Sequence, residues 1–341
     1  MAITLGRCLD RSIPNGAGFC NPAGEAPSRR WLIAANAGGR AADEQLPVIG
    51  SRHILGYAMG TRYGKDLIAQ MDALHVPPGA LAIWALGQMG FALKGSGDGV
   101  IYVDPYLTGK SKEEAEPGEI FYREFPPPVA PDEITNARAV LCSHEHLDHT
   151  DAGTIGPIAR ASPQATFVIT GWSHPIADQA GIPAARRITP EVGRPITIGD
   201  ARVTALPSAH YQVEDDPAKG QRWLGFLIEW NGVTLYHSGD TVIYPGYVEM
   251  LKAQPRADVA IVPVNGRDAY RDSLGIVGNL LPLEAAWLAR ELGWDVLLAG
   301  HNDLFIGNCI GAGELPDAIR RFNPRQKMHV LQPGELYLYV K

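Results

Sequence analysis

The sequence predicts an α/β (α+β) chain built in four layers: two mixed β-sheets packed face to face, with helices on both outer surfaces (αββα). Three observations carry this. From residue 81 onward short apolar strands alternate with helical patterns. Most of the strands are continuous apolar runs, as sheets covered on both faces require. The chain also repeats a device, an apolar strand that ends by delivering an Asp or a His. Residues 100–104 (VIYVD) echo 233–240 (VTLYHSGD), and residues 139–144 (AVLCSH) echo 295–301 (DVLLAGH). Two halves so built predict a pseudo-symmetric sandwich whose functional site lies where they meet at one edge.

Taken in order, residues 64–74 (GKDLIAQMDAL) read as an amphipathic helix stopped by Pro77 and Pro78. Residues 80–86, 90–93 and 100–103 read as a meander of strands. After a Pro-rich loop at 126–131, a short apolar strand at 138–142 runs into a histidine cluster. A helix near 153–161, a strand at 165–170 and a helix at 174–180 follow. Residues 196–198, 202–206, 223–229 and 233–236 form a second run of strands. A strand at 259–262, a helix at 282–292, a strand at 296–299, a helix at 314–322 and two final strands complete the chain.

Residues 1–58 differ, being rich in Gly, Ala, Arg and Pro with little periodicity. They read as a poorly ordered extension, or as sequence upstream of a natural start at Met59. Residues 59–341 then form a single catalytic domain.

The composition, 45% hydrophobic and 20% charged over 341 residues, is that of a globular protein with a substantial core. A net charge of -7 and a pI near 5.8 argue against a nucleic-acid-binding surface. They leave room for a local pocket that binds a small anion. The four cysteines, Cys8, Cys20, Cys142 and Cys309, form no CxxC pair. Neither a cysteine-type zinc site nor a disulfide framework is expected, and a reducing compartment is the simpler reading. No apolar run reaches the ~18 residues of a membrane span, and no secretory h-region opens the chain. The expectation is a cytoplasmic protein with a small-molecule partner; homo-oligomerisation stays open.

The chemistry concentrates in His144-Glu145-His146-Leu147-Asp148-His149, where three of the ten histidines fall within six residues. Imidazole and carboxylate are good ligands for Zn²⁺ and acceptable ones for Mn²⁺. In an extended segment alternate side chains share a face, so His144 and His146 can grip one ion. The chain then turns, and Asp148 and His149 can point to a second. Glu145 reads as a supporting or solvent-facing residue. Later apolar strands supply further candidates: His210 in PSAH, Asp240 in HSGD and His301 in GHND.

The run of HxHxDH, then SAH, SGD and GH in that order, resembles the metallo-β-lactamase superfamily. More narrowly the chain resembles the L-ascorbate-6-phosphate lactonase (UlaG-like) group. The resemblance is carried by Val76 to Gly79, Trp84 with Leu86 and Gly87, Val103-Asp104 with Thr108-Gly109-Lys110, His144 to Asp151, Tyr236 to Asp240, and Gly275-Ile276 through Asp303. It implies two divalent ions. His144, His146 and His210 would hold one; Asp148, His149 and His301 the other; Asp240 would bridge both. It also implies that Asp104 supports the histidine loop by hydrogen bonding. At His210 the chain follows the general hydrolase pattern rather than the lactonase one.

Two adjacent dications lower the pKa of a bridging water from 15.7 towards about 7, and Asp148 is placed to orient that nucleophile and take its proton. His237, just before Asp240, reads as a supporting residue. Lys110, Arg267 and Arg271 are candidates for holding an anionic substrate, and Asn302 for tuning His301. The leading expectation is a hydrolase opening a small sugar-acid lactone or ester, phosphorylated or not. A phosphodiesterase on the same metals and a non-catalytic metal-binding scaffold are the alternatives.

Overall fold

A computed structural model describes residues 61–341 apart from 110–114, 117, 118 and 312. The extension expected at 1–58 and the candidate Lys110 lie outside the described residues.

Tyr63 precedes helix Gly64–Ala73 (α1), which buries Leu67, Ile68 and Met71 on one face. The meander follows as Ala80–Gly87 (β1), Gly90–Lys94 (β2) and Val100–Val103 (β3), then Ala137–Cys142 (β4). Helix Ala152–Ala161 (α2), strand Thr166–Ile169 (β5), helix His174–Gln179 (α3) and the two-residue strand Arg187–Ile188 (β6) complete the first half. The second half opens with Pro195–Ile198 (β7) and Ala201–Pro207 (β8). A small ribbon of Asp215–Asp216 (β9) and Gly220–Gln221 (β10) interrupts it before Leu224–Trp230 (β11) and Val233–His237 (β12). Helix Tyr247–Lys252 (α4), strand Val259–Pro263 (β13), helices Ala269–Ser273 (α5) and Pro282–Leu292 (α6), and strand Val296–Gly300 (β14) follow. Helix Glu314–Phe322 (α7), Lys327–His329 (β15) and Leu336–Val340 (β16) end the chain.

The strands form two seven-stranded sheets, ordered β16-β1-β2-β3-β4-β5-β6 and β15-β14-β13-β12-β11-β8-β7. Each is mixed in the same way, with three antiparallel pairings on one side and three parallel pairings on the other. The pseudo-symmetry is therefore real, and it corrects one of the two echoes. β3, ending at Asp104, and β12, leading to Asp240, occupy equivalent places. β4, which delivers His144, is equivalent to β13 and not to β14, which delivers His301. Short apolar strands resemble one another too closely for sequence to fix the register of such a repeat.

Period-2 alternation divides the core. Ile101 and Val103 of β3 and Ala139 and Leu141 of β4 face the second sheet, where Phe226, Ile228 and Ile261 meet them. Tyr102, Val140 and Cys142 face the helices of the first outer layer, with Leu67, Ile155 and Ile158. On the other side Tyr236, Ala260 and Leu297 pack under α4, α6 and α7 through Leu251, Leu288 and Ile319. The four expected layers are all present. Because both faces of each sheet are covered, the inner strands lack polar alternation. Every residue of β1, β2, β3, β13 and β14 is buried. The parallel strands β4, β12 and β14 end on one edge, and that edge carries the histidine cluster. No helix among the described residues is long and apolar enough to cross a membrane.

Candidate metal centre

β4 ends at Cys142, and Ser143 and His144 leave the sheet already buried. The backbone then turns sharply: the amides of His149 and Thr150 donate to the His146 carbonyl at 2.9 and 2.8 Å, and the Thr150 hydroxyl donates to the His144 carbonyl. That turn brings Asp148 and His149 back beside His144, whose ring centroid lies 4.6 Å from that of His146 and 4.0 Å from that of His149. Asp151 then caps α2 by accepting from the Gly153 amide at 2.9 Å.

Asp104 anchors this loop. It follows β3 with φ 44°, a left-handed conformation costly for a side chain that bears Cβ. Its Oδ1 accepts from the Ser143 amide at 2.7 Å, and its Oδ2 from the Ser143 hydroxyl at 2.6 Å. Oδ2 also lies 2.9 Å from His149 Nδ1. A carboxylate can only accept, so this contact fixes the proton of His149 on Nδ1 and leaves Nε2 as a lone-pair donor.

The later strands bring the remaining candidates to the same place. Asp240 Oδ2 lies 3.4 Å from His149 Nε2, 3.3 Å from His210 Nε2 and 3.3 Å from His301 Nε2. Asp148 Oδ2 lies 3.4 Å from His301 Nε2 and 3.8 Å from His149 Nε2. Three overlapping triads could each hold an ion: His144 with His146 and His210, His144 with His149 and Asp240, and Asp148 with His149 and His301. All seven expected ligands thus converge.

Two features show that a cation suits this donor set. The buried atoms His144 Nε2, His149 Nε2, His210 Nε2 and Asp240 Oδ1 have no hydrogen-bond partner among the described residues, although buried polar atoms are nearly always paired. The charges are also unbalanced. Burial opposes protonation of His301, yet Asp240 and Asp148 outweigh it and push its pKa up to about 9. The same contest raises His149, through Asp240, Asp104 and Asp148. Burial and the neighbouring histidines hold His144 neutral, well below the ordinary range. Imidazoles and carboxylates that demand positive charge, with lone pairs facing inward, match divalent cations of the zinc or manganese type.

Around this core the structure adds residues that motif reading passed over. Gln88, in the β1–β2 turn, sits at φ 58°. Its Nε2 donates to Asp148 Oδ2 at 2.8 Å and lies 3.1 Å from His301 Nε2. Its amide donates to Asp303 Oδ1, and its carbonyl accepts from the His301 amide. Burial, the largest influence on Asp303, raises that carboxyl to about 6. Trp223 packs its ring 4.8–5.2 Å from those of His144, His146 and His210. Behind it the Arg222 guanidinium stacks between Trp223 and Trp172 and pairs at 2.6 Å with Glu145. Glu145 is therefore tied to a brace rather than facing solvent. His237 is buried, accepts from the Gly239 amide at 3.2 Å and meets the Met89 carbonyl at 2.9 Å; it shapes the turn that presents Asp240. Gln88, Asp104, Tyr211 and His301 are four of the five non-glycine residues with positive φ among the described ones, so backbone strain gathers at this site.

The substrate-side expectations fare differently. Arg267 is held by Glu284 at 2.6 and 2.7 Å, and Arg271 by Asp268 at 2.6 Å and by the Asn265 carbonyl. Neither lines the pocket beside the cluster, and nor does Asn302. Asn308 does. Its Oδ1 accepts from Arg271 Nη1 at 2.9 Å and Asn265 Nδ2 at 3.0 Å. Arginine only donates, so the orientation of this amide is fixed and its Nδ2 is left to the pocket.

Together the two-sheet sandwich and this buried histidine–carboxylate cluster define a metal-dependent hydrolase. The Beta-lactamase superfamily domain matches residues 101–302. The chain is 31% identical to a UPF0173 metal-dependent hydrolase of Pyrobaculum neutrophilum, over 61% of this chain and 85% of that one. It is 26% identical to one of Methanoculleus marisnigri, over 73% and 93%. Among solved structures it is similar to Igni18, a metallo hydrolase from Ignicoccus hospitalis (TM-score 0.55, 18% identity, 77% of this chain and 99% of that one). It is likewise similar to a possible metal-dependent hydrolase from Veillonella parvula (TM-score 0.58, 18% identity, 75% and 98%). The chain belongs to the beta-lactamase superfamily, and within it to the UPF0173 family of metal-dependent hydrolases.

Proposed function

We propose that the chain hydrolyses a small ester or lactone at a centre of two divalent cations. His144, His146 and His210 would hold one ion, and Asp148, His149 and His301 the other, with Asp240 between them. The observation that carries this reading is the convergence of Nε2 atoms from three histidines on Asp240 Oδ2, within 3.3–3.4 Å. A pair of divalent cations there would supply hydroxide at neutral pH and neutralise developing negative charge.

The protein's own groups complete the chemistry. Asp148, held through Oδ2 by Gln88, orients the nucleophile and accepts its proton. Asp104 keeps His149 in the tautomer that leaves Nε2 free. Asn308 offers a fixed N–H to an oxygen of the substrate. The buried thiol of Cys142 suits the reducing conditions of cytoplasm.

Elemental analysis tests the reading directly. The wild-type chain is expected to carry about two equivalents of Zn or Mn, and a His146→Ala, Asp240→Asn double variant to lose most of both. Chelation is expected to abolish hydrolysis, and re-addition of the ion to restore it. One equivalent or fewer in metal-replete protein would overturn the two-cation reading.

A further inference from the structure

Resting on that hydrolase reading, we infer that the substrate carries an alkyl group, which lies on an apolar wall formed by Leu274, Ile276 and Val277. The wall belongs to the excursion between β13 and α6. Its neck is closed by backbone hydrogen bonds from Gly266 to the Leu280 carbonyl and from Asn279 to the Gly266 carbonyl, at 3.1 and 3.0 Å. Within it α5 is capped by Asp268, and the amides of Gly275 and Ile276 fold back onto Asp272 and Arg271 at 3.0 Å. Gly278 permits the close crossing: a Cβ there would stand 2.6 Å from the Gly266 carbonyl oxygen.

The excursion is also fastened to the cluster. Tyr211, directly after His210, donates its hydroxyl to Asp272 and accepts from the Gly278 amide at 3.2 Å. Residues 272 and 278, which flank the wall, are thus pinned to the residue following a candidate ligand. The wall is built in advance rather than shaped by the substrate.

Its position and chemistry then indicate what it receives. Leu274, Ile276 and Val277 line the same cavity, about 290 Å³, as His146, Asp148 and Asp240. Leu274 remains 50% exposed and Val277 36%, an apolar surface left open at the rim of a polar centre. The cavity stands at the small end of ligand sites. A carbonyl compound with a short alkyl tail fits, its tail on the wall and one oxygen on Asn308.

The test uses the full-length, metal-replete chain with two probe series. Turnover is measured on γ-lactones of four to eight carbons. Binding of two- to eight-carbon alkyl hydroxamates is measured by calorimetry. Hydroxamate affinity and kcat/KM are expected to rise roughly fourfold for each methylene laid on the wall. In a Leu274→Ser, Val277→Ser double variant that retains wild-type metal content, the rise is expected to fall below twofold per methylene. Flat series in both probes would overturn the inference while leaving hydrolysis intact. A steep hydroxamate series with no lactone or ester turned over would keep the wall and overturn the hydrolytic reading on which its substrate rests.

Discussion

Asp104→Asn changes one atom of the side chain and should disable half of the centre. Asp104 accepts three hydrogen bonds, from the Ser143 amide, the Ser143 hydroxyl and His149 Nδ1. The asparagine retains one acceptor oxygen. If that oxygen keeps the Ser143 amide, the new NH₂ faces His149 Nδ1, and two donors then confront each other. His149 escapes only by moving its proton to Nε2, the atom that faces Asp240 at 3.4 Å, and a protonated Nε2 cannot ligate. Loss of partners that orient a ligating imidazole typically weakens metal binding by 10- to 100-fold, about 1.4 to 2.7 kcal/mol. The buried fold should lose about 2–3 kcal/mol besides, as charge-assisted hydrogen bonds in the interior are removed. Titration of the metal-free variant against a chromophoric chelator should show one weakened equivalent and one close to wild type. Thermal unfolding without metal should show Tm lowered by about 4–10 °C. Ser143→Ala leaves the Asp104–His149 contact in place but removes the hydroxyl that also meets His144 Nδ1 at 3.0 Å, so its loss should fall on the equivalent held by His144 instead. Two wild-type equivalents in Asp104→Asn would refute the tautomer reasoning outright.

The sequence made the layers legible because burial on both faces writes an apolar run wherever a strand lies, and the structure bears out the two mixed sheets and their outer helices. The histidine cluster was legible for a local reason: a strand end followed by a turn can bring four ligands to one place within six residues. Asp104, His210, Asp240 and His301 were legible because each closes an apolar strand. What escaped was whatever depends on approach between distant segments. Gln88 precedes Asp148 by 60 residues, and nothing in Gly87-Gln88-Met89-Gly90 marks it chemically. The Arg222–Glu145 brace joins residues 77 apart. Arg267 looked free because its partner Glu284 lies 17 residues away; Arg271 meets the Asn308 amide 37 residues away, but its carboxylate partner Asp268 stands only three residues before it and could have been read. A sequence shows that an arginine is present before it shows whether a carboxylate has already taken it.

Gly239→Ala should unfold the turn that presents Asp240: φ is +57°, and the added Cβ would lie 2.3 Å from the Leu224 carbonyl oxygen and 2.9 Å from Ser143 Cβ. A loss of at least about 2 kcal/mol is expected, seen as a drop of about 4 °C or more in Tm with reduced metal content; an unchanged Tm would contradict the packing described. Asn308→Asp separates donor from scaffold more finely. Arg271 and Asn265 both donate to Oδ1, so a carboxylate satisfies them as well as the amide does, and Tm should hold within about 3 °C. What the substitution removes is the N–H left to the pocket, and losing one donor to a developing oxyanion costs on the order of 100-fold in kcat. Asn308→Ala should lose activity and stability together, because it also strands the Arg271 guanidinium. An Asn308→Asp enzyme with wild-type kcat would show that the amide merely fills space between Arg271 and Asn265, and the substrate oxygen would then have to be met by another group.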